Sequence, residues 1–165
     1  MTSAQSGFTL IELLVSTIVL SVGLLGLAQL EIFSMRHSHD AYLRTQATFL
    51  AQDIADRMRA NIQGVNNGDY DRLLIRTQDE NCLKAVPGCS SKAMALNDAW
   101  EWWNNLRVTL PSGEGIVCLD SSPQDGTRKD AHECDGVGTL YTIKIWWDEK
   151  RDGGPKQRFV TSFRP

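Results

Sequence analysis

The stretch FTLIELLVSTIVLSVGLLGLAQL, residues 8–30, holds a single charge, Glu12, in 23 positions. As an α-helix it would extend ~35 Å at ~1.5 Å per residue, enough to cross a hydrocarbon core of about 30 Å. Nearly all other charges of the 165-residue chain lie beyond it, so the mean hydropathy of −0.27 averages two unlike parts. A carboxylate near the start of an apolar span is costly without a partner. Glu12 therefore needs a reason to be there.

The residues ahead of the span, MTSAQSG (1–7), contain no Lys or Arg. A secretory signal has a charged start, a shorter apolar core and a small-residue cleavage site after that core. None of these features is present, so the span reads as a retained membrane anchor. The net charge of −3 gives no general reason to expect nucleic-acid binding.

The helical pattern continues past the span. Between Glu31 and Ile62 there is no Pro or Gly, and Leu43, Ala47, Leu50, Ala51, Ile54, Ala55, Met58 and Ile62 recur at steps of three and four. Asp53, Asp56, Arg57 and Arg59 fall mostly off that stripe. The spacing predicts one continuous helix from Phe8 to about Ile62, apolar all round and then amphipathic, ended by Gly64, Asn66, Asn67 and Gly68.

Beyond it, Leu96, Ala99, Trp100, Trp103, Leu106 and Leu110 predict a second helix over Lys92–Leu110, stopped by Pro111. GIVCLD (115–120), YTIKIWWDE (141–149) and QRFVTSF (157–163) read as strands, the last two joined through Asp152-Gly153-Gly154-Pro155. In the middle strand Tyr141, Ile143, Ile145 and Trp147 alternate with Thr142, Lys144 and Trp146, the period of a half-buried strand. The Trp100/Trp103 and Trp146/Trp147 pairs read as core, except that Trp146 takes the polar phase and is the candidate for an exposed contact residue. Residues 121–139 form a polar loop. A long helix on a small antiparallel sheet is an α+β unit.

All four cysteines, Cys82, Cys89, Cys118 and Cys134, follow the span. An even count in a small extracytoplasmic domain suggests two disulfides. Three pairings are possible. Sequence order makes Cys82–Cys89 and Cys118–Cys134 the local choice, with free buried thiols as the alternative. No C-x-x-C or nearby His pair argues for zinc.

GFTLIELL (7–14), with Gly7 before Phe8 and Glu12 inside the apolar run, resembles the class III signal of type IV pilins and pseudopilins. AYLRTQATFLAQDIADRMRANIQG (41–64) resembles more narrowly the PilV-type minor pilins. The resemblance implies the type IV pilin fold, with residues 1–7 a cleaved leader, 8–30 a transmembrane helix, 31–63 its amphipathic continuation and 64–165 a periplasmic pilin domain. It implies cleavage between Gly7 and Phe8 by prepilin peptidase, N-methylation of Phe8, and pairing of Glu12 with the terminal amine of a neighbouring subunit. The implied partners are the inner membrane, the pilus assembly platform, the major pilin and other minor pilins. Two departures stand out: the leader lacks a basic residue, and Gln29 stands where major pilins usually carry proline.

Enzymatic constellations are thin. His37 and His39 lie two apart on a helix, on nearly opposite faces, and cannot chelate one metal. Asp120, Asp125, Asp130, Glu133 and Asp135 lack the calcium-loop pattern and read as a solvated acidic loop. No catalytic residue, metal or cofactor is expected. A minor pilin taking part in pilus assembly initiation, motility, adhesion or DNA uptake competes with two other functions. One is a minor pseudopilin of a type II secretion system; the other is a tip adhesin binding through the 121–139 loop.

Overall fold

The N-terminal apolar run becomes the start of one long helix, α1 (Leu10–Ala60). The computed structural model describes residues 9–73, 76–154 and 156–165. Two compact units divide at Ala41/Tyr42. In the first, the apolar side chains of α1 stay outside any core: Leu10, Leu20 and Leu30 are each more than 60% exposed. Ser16 and Ser21 donate to the carbonyls of Glu12 and Thr17, four residues back, so their hydroxyls are satisfied within the helix.

In the second unit the remaining turns of α1 are followed by α2 (Ile62–Asn66), a 3-10 turn (Glu80–Leu83), α3 (Ser91–Thr109) and three strands. These are β1 (Glu114–Leu119), β2 (Tyr141–Trp147) and β3 (Gln157–Phe163), an antiparallel sheet in the order β1-β2-β3. The predicted stripe is buried from Leu43 to Met58. It ends there: α1 stops at Ala60, and Asn61 turns its side chain to accept the Gly64 N–H at 3.3 Å, capping α2. The continuous helix to Ile62 is thus interrupted, and Ile62 is 49% exposed instead of core.

The Ser90 hydroxyl accepts the Ala93 N–H and starts α3, while Pro111 follows its C-cap. The buried face of α3 is Ala95, Ala99, Trp102 and Leu106, not the predicted phase with Trp100 and Trp103. Trp102 decides the phase. Its ring meets β1 at Gly115, where a Cβ would lie 2.6 Å from Trp102 Cη2, and its indole N–H donates to the Leu50 carbonyl at 2.8 Å. A buried indole N–H usually finds an acceptor, and position 102 reaches one while Trp146 and Trp147 do not.

The largest correction concerns β2. Tyr141, Ile143, Ile145 and Trp147 do face the helices. The other phase, expected at the surface, is also buried: Thr142, Lys144 and Trp146 are all 0% exposed. Trp146 is therefore no surface contact residue. Its neighbours on that face are Ile116 and Cys118, with Cys134 packed against them. The polar 121–139 loop folds over this second face and closes it.

Lys144 organises the closure. Its ammonium donates to the Asp125 carboxylate (2.6 Å), the Asp125 carbonyl (3.3 Å) and the His132 carbonyl (2.8 Å), and pairs with Asp120 at 2.6 Å. An ammonium has three donors, so the Asp120 contact is one of charge. On β3, Arg158 grips the carbonyls of Gln124, Asp125 and Gly126 from the same side. Cys118–Cys134 ties the loop to β1, and Cys82–Cys89 closes a second, shorter loop.

Removing one member of a buried ion pair leaves the other uncompensated, at about 3–5 kcal/mol. Lys144→Met is expected to destabilise the second unit by that amount in chemical denaturation. Adding Asp120→Leu to it should recover most of the loss, because no charge then remains buried.

Candidate functional site

Two places on the chain carry chemistry that the core does not absorb. The first is the start of α1. Gly7 and Phe8, the expected cleavage and methylation positions, lie outside the described residues. Glu12 sits in the first turn, where its backbone N–H donates to the Thr9 carbonyl at 3.1 Å. Its carboxylate faces the positive end of the helix dipole, and no described residue pairs with it. Within Leu10–Ala60 the helix has a stretch apolar and long enough to cross a membrane.

The second is the polar junction between α1 and α3. Asp53 and Arg57, four residues apart, share one face of α1, and Asn61 follows just past its end. Arg57 binds Asp53 at 3.0 Å, Asp98 at 3.3 Å and Glu101 at 2.6 Å. Asn61 donates to the Tyr70 hydroxyl and the Ser91 carbonyl, and Tyr70 donates to Asp98 at 2.5 Å. Burial pushes the Asp98 carboxyl above its ordinary value, with Tyr70 and Arg57 pulling it partly back. Burial and then the bond to Asp98 raise the Tyr70 hydroxyl. Sequence reasoning placed Asp53 and Arg57 off the apolar stripe and gave them no partner. The signal that could have found them is the same four-residue step that found the apolar stripe.

Three of the five acidic loop residues are also bound. Asp120 and Asp125 surround an ammonium, and Asp135 accepts from the Ser121 hydroxyl and the Val137 N–H. His132 accepts the Cys134 N–H through Nδ1, and His37 stacks edge-on against Phe33. Cys118, Asp120 and Cys134 converge in space, but the disulfide consumes both sulfurs and leaves no thiolate for a metal.

Residues 2–28 match the family model for the prokaryotic N-terminal methylation motif. Residues 29–100 match the Tt1218-like family, described as type IV pilin Tt1218. The chain is type IV pilin-like. No curated protein and no solved structure matches it. The two matches meet within α1, and the second ends at Trp100 inside α3, so it takes in the whole Arg57–Asp98 junction except Glu101. A pilin-like chain with a methylation motif and an apolar N-terminal helix fits anchoring in the inner membrane and then a pilus fibre. The motif implies processing by prepilin peptidase and assembly with other pilins.

The carboxylates of this pilin-like chain titrate in opposite directions. The Lys144 and Ser122 hydrogen bonds hold Asp125 below its ordinary value of 3.8, and the Ser121 hydroxyl and Val137 N–H do the same for Asp135. Lowered folded values give stability that is present above the ordinary value and lost as pH falls through the folded one. Asp98, raised, has the opposite sign: its contribution declines as pH rises through its folded value. Hydrogen exchange corrected for intrinsic rates should therefore show the 121–139 loop losing protection below about pH 4. Asp125→Asn should flatten that dependence and leave α3 unchanged.

Proposed function

We propose that this chain is a minor pilin of the type IV pilus, of the PilV type, that takes part in initiating assembly and thereby in pilus-dependent motility or adhesion. Glu12 carries the reading: it is the one charge in an otherwise apolar, exposed helical segment, within the first turn. An unpaired carboxylate inside hydrocarbon costs about 2.5–3.5 kcal/mol on insertion scales, more on an isolated helix. A chain that retains one there has a partner for it.

Cutting between Gly7 and Phe8 supplies that partner class, because it creates a cationic amine at the same membrane depth. Phe8 becomes the first residue and Glu12 the fifth. The amine of an incoming subunit pairs with Glu12 of its neighbour, so the two helices come to rest in one axial register. The leader is then residues 1–7, the span 8–30, its amphipathic continuation 31–63 and the periplasmic domain 64–165. The Arg57–Asp98–Glu101 junction supports the PilV-type assignment, because DIADRMRAN (53–61) supplies its α1 half. With Trp146 buried, the tip-adhesin alternative rests on the 121–139 loop alone.

Glu12→Ala should insert and be cut normally, since both steps precede assembly, and mass spectrometry should find a methylated Phe8 terminus. The variant should accumulate in the inner membrane and be depleted from sheared pili. Glu12→Asp should be partly recruited, because it keeps the charge with a shorter reach. Equal amounts of Glu12→Ala and wild type in sheared pili would remove the register argument.

A further inference from the structure

The exposed side of α3 carries a cluster of cations around Trp103. The guanidiniums of Arg76 and Arg107 each lie over its ring, 4.6 Å from the centroid. Beside Trp103 and Arg107 opens a cavity of about 500 Å³, lined also by Lys129 and Lys156 and, on the acidic side, by Glu114 and Asp130, while Arg76 lines a separate one. Lys156 is paired with Glu114 at 3.0 Å. Among the described residues no carboxylate forms an ion pair with Arg76, Arg107 or Lys129.

That arrangement is unfavourable as it stands. Arg76 is half-buried, and burial lowers its pKa with nothing opposing it. Lys129 is lowered by burial and then by the charge of Arg76, with Asp130 and Glu114 pulling it only partly back. Like charges held together at a partly desolvated surface repel each other, and an anion would relieve the repulsion. A guanidinium lying over an indole also keeps its in-plane N–H fork free and oriented for a carboxylate or phosphate.

Two observations select the kind of anion. Single-stranded nucleic acid binds by stacking bases on open aromatic faces, but here guanidiniums already lie over Trp103. A phosphate chain carries a charge at every nucleotide and would meet Glu114 and Asp130 in the same cavity. A protein segment with two carboxylates among neutral residues avoids both conflicts. We propose that the cavity beside Trp103 is a docking site for an acidic segment of a partner protein, its carboxylates received by Arg107 and Lys129. This rests on the site itself and does not depend on the pilus role of Glu12.

The test uses the full chain in neutral detergent and a short labelled peptide with two adjacent glutamates among glycines and serines. A lysine version and a homothymidine oligonucleotide of equal charge are the comparisons. The glutamate peptide is expected to bind, and to weaken as salt rises. The double variant Arg107→Ala/Lys129→Ala should lose about tenfold or more in affinity, as expected for charge-assisted hydrogen bonds. Arg107→Lys should bind at an intermediate level, and Glu114→Gln, which frees Lys156, should bind more tightly. These two variants carry the test should the double variant unfold. Unchanged binding in the folded double variant, equal binding of the lysine peptide, or tighter binding of the oligonucleotide would each overturn the proposal.

Discussion

One helix has to serve two solvents, and most of the chain follows from that constraint. Up to about Leu30 the side chains of α1 are apolar on every face and find no core in the described structure. From Leu43 the helix has a buried stripe and polar flanks, which is the requirement of a protein interior bounded by water. Backbone hydrogen bonding runs on through both regimes, because a helix satisfies its own peptide groups whatever surrounds it. What changes is only the side-chain pattern. A single secondary element can therefore leave a membrane and enter a folded domain without a linker.

The domain at the far end has little material for a core. It offers three short strands, one further long helix and the last turns of α1. A small sheet with one face open would bury too little apolar surface for independent stability. The chain closes the open face with a loop that is almost wholly polar. Such a loop cannot be held by hydrophobic burial, so it is held by charge and covalency: Lys144 and Arg158 take its carbonyls and carboxylates, and Cys118–Cys134 limits how far it can move. Each device is expensive when incomplete. Here the ammonium uses all three donors and still has a second carboxylate beside it.

The helical and strand segments were legible in the sequence because their periods are simple. Leu43 to Met58, GIVCLD, YTIKIWWDE and QRFVTSF all lie where their spacing predicts. Trp146 was misread because alternation reports two faces and not what covers each. The information was nevertheless present in Cys118. It pairs with Thr142 across the β1–β2 ladder, so its side chain shares a face with Thr142, Lys144 and Trp146. A bridge from that face to Cys134 must draw the intervening loop across it. The phase error in α3 has another origin: WEWW offers tryptophans on several faces, and only a tertiary acceptor, the Leu50 carbonyl, chooses between them.

The Arg57 junction shows why the α1 segment DIADRMRAN carries more information than its apolar residues do. Ile54, Ala55 and Met58 would pack against almost any apolar surface of suitable size, since hydrophobic contact is non-directional. Asp53, Arg57 and Asn61 are more demanding. Arg57 must meet Asp98 and Glu101 on α3, and Asn61 must reach Tyr70 and the first turn of α3 while also capping α2. A rotation of α1 by one residue would move every one of these groups by about 100° around the helix and leave Asp98 buried without its cation. The apolar stripe thus supplies adhesion between α1 and the rest of the domain, and the polar stripe beside it fixes the rotation.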